Sequence, residues 1–377
     1  MTTDAWRALF PLTRSQVFLN NAAMAPPSRR VVEAMHAFMS ECAEQGSRNY
    51  TAWGRRLSGV RGKAATLVGG QPEDLAFVGN TSFGLSLIAQ SFPWQPGDAV
   101  LVPVPDFPTN VYPWQNLQQR GVEIIEVPRR DGRIDRADVE RVMTARTRML
   151  TLSSVDYASG FAADLEEIGA WCREKGLIFV VDAIQSLGVL PLDARRLGIH
   201  ALAAGAHKWL LGPMGIGLLY VAPQLRELLQ PVLAGWKSVV DPENFALHFQ
   251  LREDAAVFEP GTLNLAGIFG LEAALDLLAE VGIDAIRAEV LSLCDQLAAG
   301  LEERSLRVTS PLAREERAGL LLFEPPGQAE ALFRTLLAKG VMLSLRNGKL
   351  RLSPHFYNNA DDVSRFFAAL DECLRGG

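Results

Sequence analysis

LIFVVDAIQS, residues 177–186, is the stretch of this sequence that decides its fold. Its first five residues are apolar and partly β-branched, a composition typical of a strand that is buried on both faces of a sheet. Asp182 and Gln185 follow at once, so a carboxylate and an amide stand where the chain leaves the sheet. The stretch therefore predicts a central strand that delivers polar groups to one edge of a sheet.

A second motif lies about one α/β passage further along, in AGAHKWLLGP, residues 204–213. A further apolar strand, GIGLLYV, follows it over residues 215–221. Lys208 has Gly, Ala, Trp and Leu as neighbours, which predicts a poorly solvated amine. Desolvation lowers the pKa of an amine, and a neutral amine can form a Schiff base. Taken alone, the motif is also compatible with a surface lysine beside a turn.

The aspartate of the first motif changes how the lysine is interpreted. Pyridoxal 5′-phosphate (PLP) enzymes need a Schiff-base lysine and a carboxylate that faces the pyridinium nitrogen. Asp182-x-x-Gln185 and His207-Lys208 resemble the motifs of class V aminotransferases, which are fold-type I PLP enzymes. That family includes cysteine desulfurases, selenocysteine lyases and isopenicillin N epimerase. The resemblance extends from about Phe18 to the C-terminus.

This resemblance implies an α/β fold, the PLP-dependent transferase fold type I. We expect a large PLP-binding domain over residues 18–250, built on a mostly parallel seven-stranded sheet. Residues 251–377 are expected to form a smaller α+β C-terminal domain. An N-terminal segment, residues 1–17, is expected to pack with that smaller domain.

The resemblance also implies roles around the cofactor ring. Lys208 would form the Schiff base and act as acid and base at Cα, and Asp182 would hold the ring nitrogen protonated. Phe107 and Ala183 would lie against the two faces of the ring. Gln185 would donate a hydrogen bond to the phenolate oxygen O3′. Lys208 and Asp182 are thus the predicted catalytic residues.

A phosphate site is predicted in GNTSFG, residues 79–84, which follows a short strand and opens a helix. The hydroxyls of Thr81 and Ser82 and the free N–H groups of a first helical turn suit a phosphate, although the motif alone is also compatible with a simple N-cap. The resemblance adds His207 to this group. It also adds Thr262, which would reach across to a partner chain's PLP and so implies a homodimer with shared active sites.

Arg351 is the predicted ligand of the substrate α-carboxylate, because its planar fork matches a carboxylate bidentately. Its alternative is a surface arginine on an edge strand. Asn21 and Tyr157 are further substrate-binding candidates, and each has a structural alternative, a turn residue and a space-filling ring respectively. The expected substrate is a small-molecule amino acid.

The reaction is less constrained than the cofactor. A cysteine desulfurase needs a nucleophilic cysteine ahead of the carboxylate-binding arginine, and residues 340–350 contain none. Transamination is slightly favoured, whereas epimerisation and β-elimination by a Cys-independent cysteine or selenocysteine C–S lyase stay open. All three begin with proton removal from Cα by Lys208. A non-catalytic PLP-binding protein is the least expected class, because Lys208 and Asp182 are both present.

Composition limits the other possibilities. With 48 % hydrophobic residues the chain can bury a large core, and a net charge of −6 gives no reason to expect nucleic acid or membrane as a partner. There is no apolar run long enough for a membrane span, and the N-terminus does not resemble a signal peptide. Four widely spaced cysteines predict neither disulfides nor a metal site, so a cytoplasmic protein is expected.

Overall fold

The computed structural model describes residues 3–375, which contain twelve α-helices and twelve strands. The strands are β1 Val17–Phe18, β2 Leu75–Val78, β3 Ala99–Val104, β4 Glu123–Pro128, β5 Thr147–Ser153, β6 Ile178–Asp182, β7 Ala201–Gly205, β8 Gly217–Val221, β9 Leu321–Phe323, β10 Val341–Met342, β11 Ser344–Arg346 and β12 Lys349–Leu352. The helices are α1 Thr3–Arg7, α2 Arg29–Gln45, α3 Tyr50–Val68, α4 Thr81–Ser91, α5 Tyr112–Gln115, α6 Arg136–Val142, α7 Leu165–Lys175, α8 Pro223–Arg226, α9 Leu265–Val281, α10 Ile283–Glu302, α11 Ala329–Ala338 and α12 Ala360–Arg375. Among these described residues, no helix is both long and apolar enough to cross a membrane.

Seven strands form the central sheet in the order β2-β8-β7-β6-β5-β3-β4. β8 pairs antiparallel with both of its neighbours, and the other neighbouring pairs are parallel. The sheet is therefore mostly parallel and seven-stranded, as predicted.

The β6 strand is buried on both faces, which explains its continuous apolar sequence. Phe179 and Val181 belong to the apolar cluster on one side of the sheet, and Val180 belongs to the cluster on the other side. This alternation follows from the two-residue period of a strand. The predicted buried central strand is thus confirmed.

The parallel strands also explain where polar groups meet. The carboxyl ends of parallel strands lie at one edge of a sheet, which is where open α/β folds bind their ligands. Five of these strands, β2, β3, β5, β6 and β7, are followed within four residues by a predicted site residue. The fold therefore brings together side chains that are far apart in the sequence.

The C-terminal part contains a separate three-stranded antiparallel sheet in the order β11-β12-β9. The N-terminal part contacts it, since β1 pairs with β10 in parallel. In addition, the Arg7 guanidinium forms an ion pair with the buried Asp362 carboxylate at 2.5 Å. The boundaries of residues 1–17, 18–250 and 251–377 stay a prediction.

Two local features differ from expectation. The connection between β6 and β7, residues 183–200, consists of turns and contains no helix. The strand that precedes Lys208 is ALAAG, residues 201–205, although alanine and glycine are uncommon in strands. Small residues are needed here because α4 packs closely on β7: a Cβ atom at Gly84 would lie 3.0 Å from that of Ala203.

Candidate active site

One cavity of about 250 Å³ lies at the carboxyl edge of the central sheet. A recess of about 30 Å³ adjoins it and shares several of its lining residues. Eight of the predicted site residues line the cavity: Thr81, Ser82, Phe107, Tyr157, Gln185, His207, Lys208 and Arg351. A ninth, Asp182, lines the recess together with Lys208. The predicted site residues on the strand ends and on β12 thus meet in one place.

Lys208 and Asp182 are both buried and lie in the same recess. Burial lowers the pKa of the Lys208 amine, and the nearby Asp182 carboxylate opposes that effect. Burial raises the pKa of Asp182, and the neighbouring Asp106 carboxylate adds to the rise. A buried carboxylate of this kind is stabilised by any cationic N–H group placed beside it.

Asp106 is a residue of this recess that sequence reasoning missed. Its carboxylate pairs with the buried Arg129 guanidinium at 3.1 Å and accepts a hydrogen bond from Ser153 Oγ at 2.9 Å. It also accepts from the backbone N–H of Phe107 at 2.7 Å. The network therefore holds the turn that carries Phe107. The Asp-Phe-Pro sequence after β3 could have indicated that Asp106 belongs to the site.

The N-terminus of α4 forms the polar wall of the cavity. The Asn80 side chain accepts a hydrogen bond from the N–H of Phe83 at 2.8 Å and so caps the helix. This cap satisfies neither the Thr81 N–H group nor the Ser82 N–H group. Both groups can therefore donate hydrogen bonds to an anion. Thr81 Oγ1 accepts from the N–H of Gly205 at 2.9 Å, which leaves its own proton available for donation.

His207 lies beside the same wall of the cavity. Its ring leaves little space for a side chain at position 205, which is a glycine. A Cβ atom at Gly205 would lie 3.0 Å from Cε1 of the His207 ring. Burial, followed by the charge of Lys208, lowers the pKa of His207, which favours a neutral imidazole. A neutral imidazole retains one N–H donor.

The aromatic wall of the cavity consists of Phe107 and Tyr157. Their ring centroids lie 5.2 Å apart in an edge-to-face arrangement, and Nζ of Lys208 lies 5.7 Å from the Phe107 centroid. Ile184 lines the cavity, whereas Ala183 is fully buried elsewhere. The expectation that Ala183 lies against a bound ring is therefore wrong, because successive residues after β6 point in different directions.

Gln185 is held by two neighbours. Its Nε2 donates to the carbonyl oxygen of Ala22 at 3.0 Å, and its Oε1 accepts from Trp209 Nε1 at 2.9 Å. These two bonds fix the orientation of the amide, and one N–H of the amide is not used by them. The backbone carbonyl of Trp209 is in turn hydrogen-bonded to Nε2 of the buried His355 at 3.1 Å.

Arg351 is 1 % exposed, and its guanidinium lines the cavity. It donates to the carbonyl oxygen of Tyr157 at 3.0 Å and to Ser344 Oγ at 3.4 Å, but its buried Nε has no partner. Burial, with the nearby Arg346, lowers the pKa of Arg351 to about 9. Arg346 also lines the cavity, although no motif of the sequence indicates it.

Two predicted site residues lie outside the cavity. Asn21 is fully buried, donates to the carbonyl oxygen of Ser353 at 2.8 Å and accepts from the Tyr357 hydroxyl at 2.7 Å. Its neighbours Ala22 and Ala23 line the cavity in its place. Thr262 is not a lining residue either, and its roles, like that of Asn21 toward substrate, stay predictions.

No cysteine lines the cavity or the recess. The hairpin ahead of Arg351 is closed by Asn347 and Gly348, both with positive φ angles of 49° and 75°. Such a two-residue turn leaves no room for a mobile loop. Burial raises the pKa of the thiols of Cys172 and Cys294 to about 12, so these thiols are unreactive.

This arrangement suits PLP. A buried carboxylate and a poorly solvated lysine share one recess, and a helix N-terminus with two hydroxyls lies beside them. The cavity also contains the guanidinium of Arg351, whose side-chain hydrogen bonds go to a carbonyl and a hydroxyl and to no carboxylate. Within residues 3–375 no group of side chains is arranged to hold a metal ion.

Comparisons with known proteins agree with this fit. The family model described as aminotransferase class-V matches residues 17–366. A probable cysteine desulfurase of Methanothermobacter thermautotrophicus is 29 % identical, over 99 % of this chain and 98 % of the relative. The cysteine desulfurase CsdA of Escherichia coli is 31 % identical over 98 % and 97 %. A crystal structure of the Escherichia coli cysteine desulfurase CsdA has a TM-score of 0.89 at 27 % identity, covering 100 % of this chain and 99 % of that chain.

The fold and the site thus define a fold-type I PLP enzyme. The chain belongs to the class V aminotransferase family, as a PLP-dependent transferase or lyase.

Proposed function

We propose that this enzyme acts at the Cα of an α-amino acid through a Schiff base between Lys208 and PLP. The observation that supports it best is the burial of Lys208 and Asp182 in one recess, with Arg351 directed into the adjoining cavity. When bound, PLP withdraws electrons from the bonds at Cα. Binding, orientation and proton transfer would be carried out by residues of this chain.

Asp182 would lie beside the pyridine nitrogen and hold its proton, because a buried carboxylate favours an adjacent cation. Thr81, Ser82 and His207 would bind the phosphate at the positive end of α4. Phe107 would pack against the ring, and Gln185 would donate its remaining N–H to O3′. These roles are assigned residue by residue from the resemblance and the lining of the cavity.

Lys208 would act as the base and acid of the reaction. As a free amine, Nζ would take the proton from Cα, because burial keeps its pKa below the ordinary value. Arg351 would bind the α-carboxylate and so direct the Cα–H bond toward Nζ. Tyr157 would contact the substrate from the aromatic wall.

Transamination is the reaction that we place first. Cleavage of the Cβ–S bond of a cysteine-like substrate is the second candidate, because curated relatives are named cysteine desulfurases. No thiol lines the cavity, so sulfur would leave as free sulfide by β-elimination rather than on a protein cysteine. Epimerisation at Cα uses the same residues and is the third.

A homodimer with shared sites is part of this proposal. The segment 232–249 packs beside residues 258–262, since Lys237 N donates to the carbonyl oxygen of Pro260 at 3.3 Å. It exposes large apolar side chains, with Phe245 at 71 % and Leu247 at 100 %. Exposed apolar patches mark interfaces, and Thr262 stands beside this one. A cytoplasmic location stays an expectation that rests on composition and cysteine spacing.

Chemical trapping tests the proposal directly. The purified protein with PLP should absorb visible light, and borohydride should remove the band and fix the cofactor on Lys208, as shown by peptide mass spectrometry. The variant Lys339→Ala, at an exposed lysine that pairs with Glu372, should behave like the parent, whereas Lys208→Ala should give no adduct. An adduct on another lysine would refute the assignment.

Product analysis then separates the reactions. Transamination should convert an amino acid only when a keto acid is present, and elimination should release a keto acid and ammonia without one. Epimerisation should exchange Cα–H for deuterium with no net product other than the D-enantiomer. No conversion of any amino acid by a PLP-loaded protein would overturn the proposal.

A further inference from the structure

Arg346 is a cation of the cavity that the proposed mechanism does not use. It lies at the end of β11, is half-buried and lines the cavity with Lys208 and Arg351. The one hydrogen bond of its side chain within residues 3–375 runs from Nη1 to the carbonyl oxygen of Leu345 at 2.8 Å. The guanidinium is thus directed into a ligand cavity with most of its donors available.

The hairpin holds Arg346 in this position. Arg346 pairs with Lys349 across the two-residue turn, and Ser344 pairs with Arg351 two positions further along. The two arginines are therefore carried by neighbouring strands of one short, closed hairpin. Neither has an acidic ion-pair partner among the described residues. Both line the same cavity as Lys208 and, in addition to burial, lower the pKa of its amine.

The charges of the cavity residues can be compared with those of the proposed ligands. On the proposed function, the pyridinium is matched by Asp182, the phosphate by the N-terminus of α4, and the substrate α-carboxylate by Arg351. Arg346 then remains without an anion in a partly dry cavity. An unpaired, partly buried charge is costly, and an anionic ligand removes that cost.

We propose that Arg346 determines specificity by binding a second anionic group, carried on the side chain of the amino-acid substrate. The substrate class is therefore an α-amino acid with an acidic side chain, such as a dicarboxylic amino acid. This inference rests on the proposed function for the charges that it assigns to Asp182, the N-terminus of α4 and Arg351.

Binding of dicarboxylates that lack an amine tests the inference without any reaction. Calorimetry of the PLP-loaded enzyme should show that succinate or glutarate binds at least about tenfold more tightly than its monoamide, succinamate or glutaramate. Arg346→Gln should remove this preference and leave monoamide affinity and PLP retention unchanged. Arg346→Lys should keep part of it and shows that the hairpin tolerates substitution.

Lys349→Gln is the matched control, because it removes a positive charge from the same hairpin outside the cavity. It should preserve the dicarboxylate preference. Equal binding of diacid and monoamide by the parent would overturn the inference, as would an equal loss in Lys349→Gln. Loss of PLP retention in Arg346→Gln would also overturn it, since Arg346 would then bind the phosphate.

Amino-acid turnover separates failure of this inference from failure of the proposed function. Aspartate or glutamate should be preferred over asparagine or glutamine by the parent but not by Arg346→Gln. If neutral amino acids react equally well, the specificity inference fails and the proposed function stands. If diacids bind through Arg346 while no amino acid reacts, the proposed function fails and the anion site stands.

Discussion

At the scale of single residues, Arg351 illustrates how burial prepares a ligand site. Its charge is almost completely removed from water, yet its described partners are a carbonyl and a hydroxyl rather than a carboxylate. A guanidinium in this state costs free energy in the empty cavity and gains a charge-assisted bidentate pair when a carboxylate binds. We therefore expect Arg351 to bind the α-carboxylate of a substrate selectively.

Replacing Arg351 by Lys tests this role. Lysine keeps the charge but loses the planar fork, so we expect about 2 kcal/mol of weaker binding, or roughly a 30-fold higher apparent KM. The PLP absorption band and PLP retention should be unchanged. Arg365→Lys, on the exposed face of α12, is the control in steady-state kinetics. A parent-like KM in Arg351→Lys would place the carboxylate site elsewhere.

The cysteines support a second prediction at this scale. Because no thiol lies in the cavity, single replacements by Ala should leave kcat per bound PLP within about twofold of the parent. The four positions are Cys42, Cys172, Cys294 and Cys373. Stability can fall for the two buried ones, so kcat is normalised to bound PLP. One variant that binds PLP but is inactive would restore the persulfide mechanism of desulfurases.

At the scale of elements, His355 connects the segment after β12 to the candidate active site. This histidine is fully buried, and its Nδ1 accepts from the N–H of Phe356 at 2.9 Å while Nε2 donates to the Trp209 carbonyl. Trp209 in turn holds Gln185. His355 is therefore a structural residue that positions the end of β12 against the Lys208 turn.

This environment makes stability depend on pH. Burial lowers the pKa of His355 to about 4, whereas the unfolded chain has the ordinary value of about 6.5. Below pH 6.5 the unfolded chain binds the proton and the folded chain does not, so stability is lost as pH falls from 6.5 toward 4. The loss is about 1.4 kcal/mol per pH unit, or about 2 kcal/mol between pH 6.5 and pH 5.

Urea unfolding at pH 7 and pH 5 measures this contribution. His355→Gln retains a donor for the Trp209 carbonyl but has no titrating group, so its pH-dependent loss should be smaller than the parent's by about 2 kcal/mol. His200 and His207, whose pKa values are also lowered by burial, are common to both proteins and cancel in the difference. An identical pH slope in the two proteins would show that His355 is not buried in its neutral form.

At the scale of the whole molecule, the proposed dimer determines whether one chain has a complete site. Thr262 does not line the cavity of its own chain, and the apolar segment 232–249 beside it is exposed. Both features are explained if a second copy covers the segment and receives Thr262 at its phosphate site. A symmetric dimer would then contain two identical shared sites.

Subunit mixing tests this arrangement. Thr262→Asp should weaken PLP binding by repelling the phosphate, and Lys208→Ala should be inactive. In a mixed dimer both defects fall on one site and the other site is intact, so activity should return to as much as half of the parent's. Thr262→Ser should behave like the parent. Absence of complementation, together with an active monomer in light scattering, would exclude shared sites.

Most of the fold and the cofactor site could be predicted because their signals are local. A strand that is buried on both faces has a continuous apolar sequence. In this chain Asp182 is the polar residue that ends that sequence. Likewise Ser28 and Asp164 cap α2 and α7 as their sequences indicate. Each of these features depends on a few adjacent residues, whose chemistry is the same in any context.

The sequence by itself thus predicted Lys208 as the cofactor lysine, Asp182 as its carboxylate partner and the start of α4 as the phosphate site, and it contains no cysteine between residues 340 and 350. Only the tertiary structure decided that the alanine-rich residues 201–205 form a strand, that Ile184 rather than Ala183 borders the cavity, and that Arg346 enters it. Residues 201–205 form a strand because they pair with neighbouring strands and because α4 packs closely on their small side chains. Arg346 enters the cavity because of the register of the β11–β12 hairpin. These features depend on contacts between residues that are far apart in the chain, and a pattern of neighbouring residues does not predict such contacts.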